Sequence, residues 1–384
     1  MTNRIINLDR AATEPLRREA LEAMLSVWRD PTIGNPSAAH GMGRRARAKL
    51  EEARTEIAAC IGAEPGEVFF TGGGTEADCW ALHGIAEARN NKGSIAVSAI
   101  EHHAVLRAAE ALEGRGIRVS RILPDEEGLI CRDAVSTALG EEPGTFLVSV
   151  MLANNEVGTI EPIPEIAEKS HAFGALLHTD AVQGLGHIPV DVNGLGCDLL
   201  SASAHKFGGP TGMGFLYVRK GTPIRPLMAG GGQERGLRGG TENTAAAAGM
   251  AAALSATVRE METESVRLSE LRDRLLAGIL AGTQGVTVNG TMRSRLPGNL
   301  HLSIEGVEQN ALLTLLDMRG VCASAGSACE AGATERSHVL SAMRQDRGQA
   351  YLRLTLGRTT TGEEIEEAAA VIRDTIAALR KRNG

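Results

Sequence analysis

The chain has 384 residues, 43% of them hydrophobic, which suffices for two domains or for one large domain with an appendage. Its net charge is −7 with 40 scattered Lys and Arg, which argues against a nucleic-acid or anionic-membrane surface. No apolar run approaches the roughly 20 residues of a membrane span, and the start Met1-Thr2-Asn3-Arg4-Ile5-Ile6 lacks a signal-peptide core, so a cytoplasmic address is expected. Cys60, Cys79, Cys131, Cys197, Cys322 and Cys329 are widely spaced, with neither disulfide-scaffold density nor a CxxC metal pair, and read as reduced thiols.

Short apolar runs alternate with helical patterns. Val68-Phe69-Phe70, Ile95-Ala96-Val97-Ser98, Phe146-Leu147-Val148-Ser149-Val150, Ala175-Leu176-Leu177-His178, Leu199-Leu200 and Phe215-Leu216-Tyr217-Val218 read as buried strands. Between many of them, segments such as 75–89 and 162–171 carry apolar residues at helical spacing. This is the signature of βαβ units and predicts a mostly parallel, doubly wound α/β sheet. From about 241 to 281 an alanine-rich pattern predicts one long helix, followed by a strand-poor tail that ends in a charged helix over 362–380. A second, smaller α/β layer is expected there.

The polar residues that matter follow the predicted strands, where an open α/β sheet forms its ligand crevice. Thr71-Gly72-Gly73-Gly74-Thr75-Glu76 is a glycine-rich turn opening a helix, suited to a phosphate. His178-Thr179-Asp180 puts a carboxylate at the same edge, and Ser203, His205 and Lys206 follow Leu200. A lone lysine is ordinarily a surface residue. An anion cradle, an acid and an amine on one crevice are what pyridoxal phosphate requires, with Asp180 holding the ring nitrogen protonated and Lys206 forming the Schiff base.

Three further segments have two readings each. His102, in Glu101-His102-His103, either stacks on the ring and shuttles protons or is a structural hydrogen-bonding residue. Asn155, in Asn154-Asn155-Glu156-Val157-Gly158, belongs either to the pocket or to an ordinary turn. Arg353 lies in the largely apolar strand Tyr351-Leu352-Arg353-Leu354 and needs an anion, either a substrate carboxylate or an internal Asp or Glu. Cys329 sits among small residues and glycines from Cys322 to Ala333, which predicts a mobile loop and an exposed thiol able to attack a substrate sulfur.

Taken together, these motifs resemble the cysteine desulfurases of the class V aminotransferase group, fold-type I pyridoxal phosphate enzymes that supply sulfur for iron–sulfur clusters and thio-cofactors. The resemblance runs from Asn7 to the C-terminal helix. It is carried by Leu8-Asp9-Arg10-Ala11-Ala12, Gly34-Asn35-Pro36-Ser37, Gly74-Thr75-Glu76, Glu101-His102-His103, Asn154-Asn155-Glu156-Val157-Gly158, His178-Thr179-Asp180-Ala181-Val182-Gln183, Ser203-Ala204-His205-Lys206, Arg238-Gly239-Gly240-Thr241 and Gly326-Ser327-Ala328-Cys329.

The resemblance implies a large domain over 13–255 with a mostly parallel seven-stranded sheet, and a small α/β domain from 1–12 and 256–384 that carries the cysteine loop at about 322–335. It implies pyridoxal 5′-phosphate as cofactor, with Lys206 as the Schiff-base lysine, Asp180 at the ring nitrogen, Gln183 at the ring hydroxyl and His102 stacked on the ring. Gly74, Thr75, Ser203 and His205 would hold the phosphate, joined by Thr241 from the neighbouring subunit of a homodimer. Asn155 and Arg353 would clamp the substrate carboxylate and Cys329 would carry the persulfide. L-cysteine would yield L-alanine, and the sulfur would pass to an acceptor such as an iron–sulfur scaffold protein. Selenocysteine lyases and aminotransferases of the same fold are the alternatives. Arg10 and Cys79 depart from the family's usual residues, and the stretch between Cys329 and Arg353 is somewhat short.

Overall fold

Runs such as Phe146-Leu147-Val148 offer water no polar face, so they are stable only where both sides of a strand are covered. A computed structural model describes residues 5–326, 337–346 and 350–383 and places these runs in that way. Among the described residues the strands are β1 (Ile6–Asn7), β2 (Val68–Thr71), β3 (Ser94–Ser98), β4 (Arg118–Ile122), β5 (Thr145–Ser149), β6 (Leu176–Asp180), β7 (Leu199–Ser203), β8 (Gly214–Val218), β9 (Val286–Val288), β10 (Asn299–Ile304), β11 (Val321–Cys322) and β12 (Ala350–Thr355).

The large sheet has seven strands in the order β2-β8-β7-β6-β5-β3-β4. Neighbours from β4 to β7 pair in parallel, and only β8 runs against the others. Alternate residues face opposite layers. Ile95, Val97 and Leu147 pack with Trp80 and Ile85 of the helix Gly74–Ala88, whereas Ala96, Val148, Leu177 and Leu200 pack with Ile57, Ile166 and Leu254 from helices on the other side.

The helix Thr244–Leu280 has 37 residues and so spans about 55 Å. Its first half buries Ala246, Met250 and Leu254 against the large sheet, and its second half gives Leu268, Leu271, Leu275 and Ile279 to a separate core. That second core also takes Leu300, Leu302, Leu352 and Leu354, the helix Gly362–Asn383 through Ile365, Ile372 and Ile376, and Ile6 and Leu8 from the start of the chain. β1 lies parallel to β11, with Ile6 opposite Val321.

The tail is not strand-poor. It holds β9, β10, β11 and β12, of which β12-β10-β9 form an antiparallel sheet. β10 alternates polar and apolar residues, Asn299-Leu300-His301-Leu302-Ser303-Ile304, so its composition conceals a strand that one face buries in the apolar core. His301 stands opposite Arg353 on the other face. No helix among the described residues is long and apolar enough to cross a membrane.

Candidate active site

The large sheet delivers the polar residues to one edge. β6 ends at Asp180 and β7 at Ser203, and these strands are paired with Asp180 opposite Ser201. Ser203 leads into a single 3-10 turn, Ala204–Lys206. The Lys206 amine donates to the carbonyls of Ala11 at 2.6 Å and Ala12 at 3.1 Å, and Gln183 Nε2 donates to the same Ala11 carbonyl at 3.1 Å. A chain segment tied to the smaller core therefore fastens two of the expected cofactor ligands.

Asp180 is buried and accepts the Val182 N–H at 2.8 Å. Burial pushes its carboxyl up to about 6, opposed by that hydrogen bond and by the Lys206 charge. Behind it, Asp78 is buried on the helix Gly74–Ala88 and lies 3.6 Å from His178 Nε2. His178 bonds Ser149 Oγ at 2.8 Å and Ser201 Oγ at 2.9 Å. Burial drives His178 down to about 3, so the ring is neutral, and holds the Asp78 carboxyl well above its usual range, helped by the Asp180 charge. Asp78 does not follow a strand, and its one signal in the sequence is a carboxylate among the apolar residues that the helix Gly74–Ala88 buries.

His102 precedes the helix His103–Glu113, and its Nδ1 accepts the Ala104 N–H at 3.1 Å, which leaves the ring hydrogen on Nε2. Burial, followed by the positive charge of Lys206, lowers it to about 4. Glu101 is fully buried and its Oε1 accepts from Ser98 Oγ and from Met151 N–H, both at 2.6 Å, linking the ends of β3 and β5. His205 is likewise lowered to about 4, by burial first, and its Nδ1 lies 3.2 Å from Thr13 Oγ1.

At the glycine-rich turn, the helix Gly74–Ala88 starts with no side-chain cap. A Cβ at Gly74 would lie 2.7 Å from Val182 Cγ2, so only glycine brings this helix end against the loop after β6. Thr75 is exposed there and Ser203 is buried beside it. Thr241 is exposed and follows the turn whose Arg238 pairs with Glu76 at 2.8 Å.

Arg353 has the internal acid, one of the two anions that its sequence context left open. Nη2 pairs with Asp9 at 2.9 Å, Nη1 donates to the Asn155 carbonyl at 3.0 Å, and Nε has no partner among the described residues. The structure thus brings Lys206 and Gln183 together, with Asp180 on the strand beside Lys206, and it brings Arg353 to Asn155. Cys329 lies outside the described residues. Cys322 is on β11, partly buried, and burial followed by the charges of Asp317 and Asp9 raises its thiol.

The family model for class V aminotransferases matches residues 6–367. Cysteine desulfurase IscS of Dictyoglomus turgidum is 45% identical over 98% of this chain and 96% of the relative. The chain belongs to the class V aminotransferase family. Within it, it is a cysteine desulfurase. The IscS-like cysteine desulfurase of Mycobacterium tuberculosis is 44% identical, covering 97% of each chain, and a solved NifS-like protein superposes with a TM-score of 0.90 at 36% identity, covering 98% of this chain and 100% of that one.

Proposed function

We propose that this desulfurase binds pyridoxal 5′-phosphate at the carboxyl edge of β6 and β7 and passes the sulfur of L-cysteine to Cys329 as a persulfide. The observation that carries the reading is the convergence of Lys206, Asp180 and the uncapped Gly74 helix end on one edge of the large sheet. The residues present fit the cofactor. Free amides at that helix end suit a phosphate, with Thr75, Ser203 and the neutral His205 as further donors. A buried carboxylate such as Asp180 is stabilised by a cationic ring nitrogen, and Gln183 stands beside it to reach a ring hydroxyl. Bound there, the cofactor supplies an electron sink for the bond broken at the substrate Cα.

The chain's own groups do the rest. Lys206 moves a proton between its Nζ and the substrate Cα, held meanwhile by the Ala11 and Ala12 carbonyls. His102, neutral and with hydrogen on Nε2, would face the ring and relay a proton. Arg353 and Asn155 take the substrate carboxylate, Nε, without a partner among the described residues, giving Arg353 a donor to spare despite its pairing with Asp9. Cys329 Sγ, as thiolate, forms the S–S bond while the substrate Cβ–S bond breaks. The released electron pair stays with the carbon skeleton and ends, protonated, in the methyl group of alanine. An acceptor thiol then collects the sulfur by thiol–disulfide-type exchange.

Burial raises the thiols of Cys60, Cys79, Cys197 and Cys322, which disfavours the thiolate at each of these four. The reading includes a cytoplasmic homodimer in which Thr241 reaches the neighbouring subunit's phosphate, and an iron–sulfur scaffold as acceptor. It assigns cofactor binding to residues 13–255 and the cysteine stretch to a smaller domain of 1–12 and 256–384. Peptide mass spectrometry after one turnover without reductant, with persulfides trapped by alkylation, tests it. An extra sulfur is expected on the Cys329 peptide, Cys329→Ser should release almost no alanine, and Cys322→Ser should keep most activity. An extra sulfur on the Cys322 peptide, with Cys329 dispensable, would overturn it.

A further inference from the structure

We infer that Glu156 is a positioning residue for sulfur transfer, its buried side chain fastening Ser337 and lying beside Gly326, at the two described ends between which Cys329 lies in the chain. The inference rests on the assignment of the persulfide to Cys329. Glu156 is 2% exposed, and its Oε2 accepts the Ser337 hydroxyl at 2.6 Å. Ser337 Oγ in turn accepts the Leu340 N–H at 3.1 Å, so the same hydroxyl caps the helix His338–Ala342. On the other side, a Cβ at Gly326 would lie 3.2 Å from Glu156 Oε2, so a side chain there would crowd the carboxylate.

The base from which Glu156 projects is fixed. Its N–H donates to Asn154 Oδ1 at 2.9 Å, and its carbonyl accepts Asn299 Nδ2 at 3.0 Å. The two ends that it joins are otherwise held by different layers. Ser324 exchanges backbone hydrogen bonds with Arg353 of β12, and the Ala325 carbonyl lies 3.2 Å from His301 Nε2 of β10, so this end follows the small sheet. His338 Nε2 lies 3.0 Å from the Glu101 carbonyl, so the other end follows the edge of the large sheet. A relative shift of the layers changes the span between the ends unless something limits it, and Glu156 is bonded to one end and lies beside the other. Transfer between two sulfur atoms needs near-contact alignment, and a misplacement of about 1 Å is enough to cost about 100-fold in rate.

The test uses holoenzyme in a single turnover, with alanine measured by rapid quench, cysteine affinity read from the cofactor's visible spectrum, and thermal unfolding as a control for fold. Glu156→Ala is expected to slow alanine formation at saturating cysteine by about 10-fold or more. The cofactor band should persist and the cysteine Kd should stay within about twofold, a loss in the chemical step alone. Glu156→Gln, whose amide oxygen still accepts from Ser337, should restore most of the rate. Ser337→Ala should slow the same step, and the double variant should be no slower than the worse single variant, since both remove one contact. A normal rate in Glu156→Ala, multiplying effects in the double variant, or a loss confined to the cysteine Kd would each overturn the inference. Should Glu156→Ala fail to load cofactor, Ser337→Ala decides alone, and a normal rate there overturns it. Cys329→Ser tells the two claims apart. If it keeps making alanine, the persulfide assignment fails; if it is inactive while Glu156→Ala is normal, only the role of Glu156 fails.

Discussion

Asp180 and Lys206 reach the site from neighbouring strands of one sheet, whereas Arg353 reaches it from β12 in the other layer and is paired with Asp9, 344 residues away in the chain. The first arrangement is fixed by the β-ladder, because β6 and β7 cannot slip without turning every side chain to the wrong face. The second leans on side chains, Arg353 to Asp9 and to the Asn155 carbonyl and Glu156 to Ser337, besides backbone bonds between 158–160 and 294–296 that are fewer than those of a ladder. The cofactor edge should therefore be insensitive to changes in the seam between the layers, and substrate placement should be sensitive to them.

Removing Lys206 is the most severe way to probe the edge. Lys206→Ala is expected to keep its fold and lose turnover by about 1,000-fold or more, with the protein-linked visible band absent on cofactor addition. Retention of that band and of alanine production would mean that the edge does not carry the chemistry. In the seam, Arg353→Lys keeps the charge but loses the fork that serves Asp9 and Asn155 together. A rise in KM of roughly 10- to 100-fold, with a smaller fall in kcat, is expected from steady-state kinetics. An unchanged KM would place substrate binding elsewhere.

The expected dimer gives a subtler test. Mixing Lys206→Ala subunits with Thr241→Val subunits should recover about a quarter of the wild-type activity, because half of the dimers are mixed and one site in each of those is intact. Sedimentation showing an active monomer would contradict this. The smallest effect concerns stability away from both regions. Glu161 is buried, its Oε2 accepts the Ile130 N–H, and burial raises its carboxyl to about 8. A carboxyl whose folded value is raised favours the folded state below its unfolded value of 4.5 and loses that contribution as pH rises through about 8. Glu161→Gln should thus show a smaller drop in Tm between pH 5 and pH 8 than the wild type, by roughly 2 °C. An identical drop would show that Glu161 does not titrate in that window.

The edge was legible in the sequence because its chemistry is local. An apolar run followed at once by Asp180 or by Ser203, His205 and Lys206 fixes which end of a strand carries the polar group, and the glycine run between Thr71 and Thr75 marks the helix start. β10 was not legible as a strand because its His301, Ser303 and Asn299 look like loop residues until β12 covers them. The seam was legible only as a question. An arginine in an apolar strand demands an anion, but nothing in the sequence near residue 353 announces Asp9. The contact of Glu156 with Ser337 was invisible for the same reason, since neither residue stands out in its own neighbourhood.

β1 pairs with β11, Ile6 beside Val321, and the residues just after β1 supply the two carbonyls that hold the Lys206 amine. During synthesis the segment that must park this amine emerges long before its own partner strand, with β2 to β10 between them. The large sheet can form from residues already made, whereas the lysine acquires its resting place only when β11 arrives. Synthesis through Val321 thereby becomes a condition for a competent amine, and a truncated product ending before it has no strand on which to lay β1.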